Sequence, residues 1–374
     1  MTQVFLFEHL TGGGLLEESA PAESLLREGS AMIRAVTEDF VKAKCSVDVL
    51  LDARLQNVLA TPVLENARSG GNLTLHSVSG PTARDRKFAA LASAADWSLV
   101  IAPETNGTLS KLNQSVRDCD GRLLGVSNEL CTLATSKTAT SEFLTQHGLP
   151  SPRGMQLTLG QRKRDTVNTD AVGWRHTESV SLFPAILKPD DGCGSVGVRR
   201  IARPELLAGI ECTDELNATS QWRLEEEILG TLVSVSVVLG EVEETILPPC
   251  RQHLGGRRGF EFQYSSIIAE DALAARAKEM AERTVTALRA LGENSPSIGW
   301  LGIDMILAEQ TLHDMPGVAG SHVRSRDVIL EVNPRVTSSY VWLRCQDHMT
   351  LPAGNLAEAM LQSATQACAF PAER

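Results

Sequence analysis

Hydrophobic residues along this chain change period with region, and the change marks its elements. Val4-Phe-Leu-Phe7, Val47-Asp-Val-Leu-Leu51, Asn72-Leu-Thr-Leu-His76, Trp97-Ser-Leu-Val-Ile-Ala102 and Leu123-Leu-Gly-Val126 read as short strands. Between the first two, Glu23 to Lys44 carries Leu25, Leu26, Met32, Ile33, Val36, Phe40 and Val41 at helical spacing, which predicts an amphipathic helix. Strands alternating with helices imply a parallel sheet covered on both faces. Residues 1–130 therefore predict an α/β domain built on a parallel sheet, and residues 131–374 a second domain.

The texture shifts near Asn128. Leu133 to His147 reads as one helix, stopped by the breakers of Gly148-Leu-Pro-Ser-Pro152. Pro184-Ala-Ile-Leu-Lys-Pro189 is a strand, Asp190-Asp-Gly-Cys-Gly-Ser-Val-Gly197 a glycine-rich turn, and Val198-Arg-Arg-Ile201 a returning strand. Arg223 to Gly230 and Thr231 to Leu239 are expected to form a further hairpin. Asp271 to Leu291 is a long helix, and Leu356 to Gln366 closes the chain with another. Ile298 to Leu307 and Asp327 to Asn333 are strands joined by a long loop, Ala308 to Arg326, rich in Gly, His and Ser.

Those last two strands carry the most informative chemistry. Asp304 sits inside an apolar run, where a charge is costly unless it is paired or binds a metal. Side chains alternate along a strand, so Glu331 and Asn333 share a face. Pro334 ends the pairing and frees Arg335 to reach a ligand. Folding back sets Asp304 beside Glu331 and Asn333, a set of oxygen donors suited to Mg²⁺, with a fork-shaped cation suited to phosphate. The plainer reading, a bulge residue and an ordinary strand end, stands level for either segment alone. The two together favour the metal.

The turn Gly192-Cys-Gly-Ser-Val-Gly197 fits the pattern G-x-G-x-x-G in form. A dinucleotide site needs a helix to follow, and here Val196, Val198, Arg199 and Arg200 follow at once. A hairpin loop is therefore expected instead of a nicotinamide-nucleotide site. Its N–H groups suit phosphates, with Lys188 just before it. Gly-Lys occurs nowhere, so there is no Walker A loop. Glu8 and Pro103-Glu-Thr-Asn-Gly107 follow strand ends, where open α/β sheets bind ligands. Glu8 is a candidate substrate contact, set against the simpler reading of Glu8 and Glu104 as solvated loop carboxylates. Trp300 and Trp342 are expected in the core.

Composition narrows the classes. The chain has 374 residues, 43% hydrophobic and 22% charged, as in globular proteins. A formal charge of −11 argues against nucleic acid as a general partner. The eight cysteines include no Cys-x-x-Cys pair and no zinc spacing with histidine, which suits free thiols in a reducing compartment. No signal-like start and no membrane-length apolar run is evident, so a cytoplasmic protein without membrane partners is expected.

In this order the motifs resemble the ATP-grasp superfamily over residues 130–350, most strongly at Glu331-Val-Asn-Pro-Arg335, with a pre-grasp domain before it. The resemblance implies a two-subdomain ATP-grasp fold with a lid over about residues 183–230. It implies ATP held by Lys137, Lys188, Gly192, Gly194 and Ser195, with adenine near Glu225, Glu226 and Glu227. It further implies Mg²⁺ or Mn²⁺ on Asp304, Glu331 and Asn333, and Arg335 as the catalytic cation. Leu232 stands where many members carry a ribose-binding glutamate, which leaves that contact unassigned. The implied activity is ligation of a small-molecule carboxylate to an amine through an acyl phosphate, with release of ADP. Phe7-Glu-His-Leu-Thr-Gly-Gly-Gly14, Ile101-Ala-Pro-Glu-Thr105, Gly-Thr-Leu-Val-Ser-Val-Ser236 and Asn333-Pro-Arg-Val-Thr-Ser-Ser-Tyr340 look like the carboligase branch that includes tyramine–glutamate ligase of methanofuran biosynthesis. In that branch Gln252 would lie near the nucleophile, and Arg257 and Arg258 are candidates for a substrate carboxylate. Related enzymes often pair, which makes a homodimer compatible. Ligation of another acid–amine pair, and a nucleotide-binding regulatory module without turnover, remain open alternatives.

Overall fold

Four strands, three of them buried along nearly their whole length, build the first sheet. The computed structural model describes residues 1–17, 23–55, 57–158, 182–207, 221–256, 259–291, 297–309, 325–346 and 354–367. The chain opens with β1 (Gln3–Glu8), α1 (Glu23–Lys42), β2 (Ser46–Asp52), α2 (Pro62–Ser69), β3 (Leu73–Val78), α3 (Pro81–Ala94), β4 (Trp97–Ile101) and α4 (Thr108–Asp118). All pairings in this sheet are parallel, in the order β3-β2-β1-β4. The chain leaves β1 toward β2 on one side and returns to place β4 on the other. Such a reversal of direction opens a crevice at the carboxyl ends of the two strands. Glu8 ends β1, directly beside Ile101 of β4.

Two expectations for the next stretch need correction. Leu123 to Val126 is not a strand but one bridge, Ser98 to Leu123. Pairing has no room to continue, because Ser127 already caps the next helix by accepting from the Leu130 N–H at 3.2 Å. The helix expected from Leu133 to His147 is two, α5 (Asn128–Thr135) and α6 (Lys137–Gln146). Ser136 between them is extended, with φ −106° and ψ 118°, and its hydroxyl accepts from the Ala139 N–H. A serine side chain competes with helical bonding and favours a cap, so the break puts Lys137 at the first helical position.

A second, antiparallel sheet follows: β5 (Gly154–Thr158), β6 (Ala185–Pro189), β7 (Arg199–Ile201) and β8 (Gln221–Glu226), in the order β5-β8-β6-β7. The glycine turn joins paired strands β6 and β7, as its composition predicts. This sheet has its own small core, in which Leu157, Phe183, Leu187, Trp222 and Leu224 are buried together.

The third sheet comprises β9 (Thr231–Leu239), β10 (Glu244–Ile246), β11 (Cys250–Gly255), β12 (Glu261–Ile267), β13 (Gly299–Leu307) and β14 (Val328–Asn333). Its main order is β12-β11-β9-β13-β14, with β10 also on β9. The expected hairpin between Arg223–Gly230 and Thr231–Leu239 does not form, since β8 pairs in the second sheet and β9 in the third. Gly230 makes the passage between them. A Cβ there would lie 2.3 Å from the Leu307 carbonyl oxygen, so no side chain fits. Helix α7 (Asp271–Arg289) covers this sheet, and α8 (Ser339–Leu343) and α9 (Leu356–Ala367) complete the chain. Phe5 and Phe7 of the first sheet share one buried cluster with Val233, Val235 and Leu301 of the third.

Candidate functional site

The register of β13 and β14 brings the site together. Asp304 is paired directly with Glu331, and Gly302 with Asn333. The register shifts by one residue next to the Asp304–Glu331 pair, which leaves Leu330 as the extra residue of a bulge on β14. The bulge thus lies on the partner strand and does not displace Asp304. Asn333 Nδ2 donates to Asp304 Oδ2 at 3.0 Å, and Gln252 Nε2 donates to Asp304 Oδ1 at 3.0 Å. Burial, then the adjacent Glu331 charge, holds the Asp304 carboxyl well above the usual carboxylate range. Burial opposes ionisation of Glu331 too, but Lys137 and then Lys188 prevail and hold it below that range.

Two carboxylates directly opposite on neighbouring strands repel, and the arrangement calls for positive charge. Lys137 Nζ supplies some of it, 3.4 Å from Glu331 Oε2. The donor set, two carboxylates and an amide, offers the hard oxygen ligands that suit Mg²⁺ or Mn²⁺. Among the described residues no group of three His, Cys, Asp or Glu is placed to hold a metal.

Lys188 of the second sheet, Lys137 of α6 and the glycine turn between β6 and β7 line, together with this pair, a cavity of about 420 Å³. Its lining includes Lys137, Lys188, Glu225, Asp304, Glu331 and Arg335. Gly192, Gly194, Ser195, Glu226, Glu227, Gln252 and Asn333 line it as well. Lys188 Nζ is 2.6 Å from Glu225 Oε1, and Arg223 Nε donates to Glu225 Oε2 at 2.8 Å. Glu226 pairs with Arg153 and Arg326, and Glu227 with Arg200 at 2.7 Å. Gly194 and Ser195 both adopt left-handed backbone, with φ of 64° and 59°. A non-glycine residue in that region is uncommon and marks a tightly determined loop.

Asp190 is a residue that sequence reasoning left without a role. Its carboxylate accepts from the Thr138 N–H at 2.9 Å and from Ser136 Oγ at 2.6 Å, and its carbonyl from the Lys137 N–H at 3.0 Å. Anionic oxygen at a helix N-terminus is favoured by the unpaired N–H groups and the dipole. Asp190 thereby locks the start of α6 to the glycine loop, and Lys137 Nζ donates to the Gly192 carbonyl. The available signal was an acid immediately before a glycine turn, which is too common to assign.

Neither Glu8 nor Glu104 is a solvated loop carboxylate: they are 3% and 7% exposed. Glu104, just past β4, lies 3.0 Å from Arg335 Nε. Burial works against the Arg335 charge, but Glu104 foremost raises its pKa. Glu8 accepts from the N–H groups of Thr11 at 2.8 Å and Leu10 at 3.1 Å. Burial pushes its carboxyl up in spite of them and of Arg335. Glu8 is absent from the cavity lining and sits behind it, its carboxylate 2.9 Å from where a Cβ on Gly29 would stand. The crevice between β1 and β4 thus faces the cation that follows β14. The same loop reaches the glycine turn, where Asp191 Oδ2 accepts from the Asn106 N–H at 2.8 Å. Trp300 is buried as expected, but Trp342 is 39% exposed and does not belong to the core. Arg257 and Arg258 lie outside the described residues.

Residues 134–339, more than half of the chain, match the model of the ATP-grasp domain, and residues 45–129 match that of the pre ATP-grasp 3 domain. The chain belongs to the ATP-grasp family. Solved structures agree on the fold of this family member. A protein of Archaeoglobus fulgidus described as of the ATP-grasp superfamily superposes with a TM-score of 0.63 at 17% identity, over 97% of this chain and 89% of its own. Carboxyaminoimidazole ribonucleotide synthase of Aspergillus clavatus, complexed with ATP, gives 0.60 at 17% identity, over 99% and 77%. D-alanine–D-alanine ligase of Bacillus anthracis gives 0.57 at 13% identity, over 98% and 97%. At these identities the likeness is one of fold. None of the curated proteins matches the chain. Among the described residues no helix is long and apolar enough to cross a membrane.

Proposed function

We propose that this ATP-grasp protein is an ADP-forming ligase that joins a small-molecule carboxylate to an amine. The observation that carries the reading is the convergence of Asp304, Glu331 and Asn333 with Lys137, Lys188 and Arg335 on one cavity. Two acids, an amide and three cations on a single small volume match the needs of a nucleoside triphosphate with its divalent ion. Asp304, Glu331 and Asn333 would hold Mg²⁺ or Mn²⁺, which when bound supplies charge neutralisation to phosphate oxygens. Lys137 and Lys188 neutralise further phosphate charge, and the N–H groups of Gly192, Gly194 and Ser195 cover it. The segment Glu225–Glu227, at the end of β8, borders the adenine end.

The substrate carboxylate attacks the γ-phosphorus, a P–O bond to ADP breaks, and an acyl phosphate forms. The amine then attacks the carbonyl carbon. A C–N bond forms, the C–O bond to phosphate breaks, and the nitrogen gives up its protons to solvent. Arg335, buried against Glu104, is oriented to stabilise negative charge in both steps. The glycine loop, tied to α6 and to the loop after β4, excludes the water that would hydrolyse the acyl phosphate.

The finer reading follows the motifs shared with the carboligase branch: glutamate as the acid, tyramine as the amine, and a methanofuran-type product. Gln252, hydrogen-bonded to Asp304 and part of the cavity lining, is the candidate to lie near the nucleophile. The test is ADP release with Mg²⁺ and ATP for glutamate plus tyramine, then for other acid–amine pairs. With ¹⁸O-labelled acid, label should pass into the released phosphate. ADP release that never depends on an acid and an amine would overturn the ligase reading. Dependence on a different pair would overturn only the tyramine–glutamate assignment.

A further inference from the structure

Thr337, Ser338 and Ser339 come shortly after Arg335 and put three consecutive hydroxyls on the lining of the cavity. Two of them are engaged within the protein. Ser338 Oγ donates to Glu28 Oε1, and Ser339 Oγ donates to Ser234 Oγ at 3.4 Å. Thr337 is 8% exposed, and among the described residues its hydroxyl has no hydrogen-bond partner. A buried hydroxyl left in that condition is costly, so its presence asks for a reason. The sheet beneath is shaped to admit it. Thr337 sits against Gly302 in the middle of β13, where a Cβ would lie 2.8 Å from Thr337 Cγ2. Glycine weakens a strand interior and marks a close approach of this kind. Gly302 pairs with Ser236 of β9. The Ser236 hydroxyl is also buried without a partner among the described residues, but Ser236 does not line the cavity.

Register gives the place a direction. Asp304 pairs with Glu331, and two residues further along Gly302 pairs with Asn333, a step of about 7 Å. Lys137 lies at the Glu331 end. Thr337 lies at the Asn333 end, the end from which the chain continues to Arg335. Phosphates drawn to the lysines and the glycine turn leave the Asn333 end for the other reactant. Charge at that end does not favour an acid by itself, because Glu104 and Glu28 both bear on Arg335. An arriving carboxylate therefore depends on hydrogen donors, and the Thr337 hydroxyl is the one of the three not already engaged. An O–H donor to an ionised carboxylate makes one of the stronger hydrogen bonds. We infer that the Thr337 hydroxyl donates to the reacting carboxylate of the acid substrate and seats it beside Arg335. The inference rests on the ligase reading for that carboxylate's role as reactant.

Stability and binding, measured on the same variants, test it. Thr337→Val keeps the shape and removes the hydroxyl. Without ligand its urea midpoint should equal or exceed that of wild type, because an unpartnered buried group is lost. The full chain, saturated with Mg²⁺ and a non-hydrolysable ATP analogue, is then unfolded in urea with acetate, succinate, glutamate or benzoate over a range of concentrations. At least one acid should raise the wild-type midpoint. Thr337→Val should bind that acid at least about tenfold more weakly, and Thr337→Ser should return to within about threefold of wild type. Affinity for the ATP analogue should stay within about twofold in both variants. Ser236→Ala, which removes a buried hydroxyl outside the cavity, should leave acid affinity unchanged. A Thr337→Val midpoint below that of wild type would give the hydroxyl a structural role and overturn the inference. Wild-type acid affinity in Thr337→Val, an equal loss in Ser236→Ala, or protection by none of the acids would overturn it too. If wild type turns over an acid–amine pair and Thr337→Val does so with unchanged KM for the acid, the ligase reading stands and the seat falls. If an acid binds through Thr337 yet no amine yields ADP with it, the seat stands and the ligase reading falls.

Discussion

Charge at the centre of this molecule is decided residue by residue. Glu331 ionises readily because Lys137 and Lys188 face it, whereas Asp304, equally sheltered, is pushed the other way by burial and by Glu331 itself. The same two side chains, set on one strand pair, thus differ in character through their neighbours alone. Glu331→Gln removes the proposed metal ligand and the partner of Lys137 while keeping the volume. ADP formation should fall by about 100-fold or more, with circular dichroism and the urea midpoint close to those of wild type. Turnover at the wild-type rate in that variant would remove Glu331 from the metal site. Arg335 is governed by a residue from another part of the chain. Glu104, about 230 positions away by their numbers, holds it in place at 3.0 Å.

At the scale of elements, the break between α5 and α6 matters as much as any single contact. A continuous helix would leave Lys137 in mid-turn, whereas the break at Ser136 makes it the first residue of a capped helix. Asp190 then occupies that N-terminus from the glycine loop, with two hydrogen bonds under 3.0 Å to Ser136 and Thr138. Asp190→Ala leaves these half-buried donors without their partner. Stability should drop by about 2 kcal/mol, seen as a lower urea midpoint at unchanged slope. Affinity for ATP should fall as well, because the loop loses its tie to α6. A variant as stable as wild type would show that solvent replaces these bonds at no cost. The bulge at Leu330 belongs to the same scale. It absorbs one residue of β14, so that Val328 and Ile329 remain buried while Glu331 and Asn333 reach the cavity.

For the molecule as a whole, the first sheet and the third form one body. Asp39 of α1 accepts from Tyr340 Oη at 3.0 Å and from Arg344 Nε at 3.1 Å, and Glu38 pairs with Arg344. These contacts join the start of the chain to its last third and set a second cavity, of about 830 Å³, between α1 and α8. Near the carboxyl end of β1, His9 carries a pH dependence. Its ring lies against Gly14, where a Cβ would come within 2.2 Å. Burial, then the charge of Arg84, pushes its pKa from 6.5 to about 4. The folded state therefore resists protonation that the unfolded chain accepts. Stability from this group is complete above pH 6.5 and is lost as the pH falls toward 4, by about 3 kcal/mol at the lower end. Urea unfolding of wild type should weaken by about that much more than unfolding of His9→Gln between pH 7 and pH 4. Equal losses in the two proteins would assign the acid sensitivity to carboxylates instead.

Much of this was legible in the residues, for a local reason. Alternation along a strand depends only on neighbouring positions, so Glu331 and Asn333 on one face and Arg335 beyond Pro334 follow from sequence, as do the parallel first sheet and the β6–β7 hairpin around the glycines. Breaks and partners were less legible. Ser136 ends one helix and starts another because Asp190, more than fifty positions on by their numbers, accepts from its hydroxyl and from the next turn. β8 and β9 look like a hairpin from their apolar content, yet they enter different sheets because their partners lie elsewhere. Glu8, Glu104 and Trp342 read as a loop acid, another loop acid and a core aromatic. Their burial or exposure is a property of surfaces that meet only after folding, so tertiary structure alone assigns Glu104 to Arg335 and gives Trp342 a cavity to line.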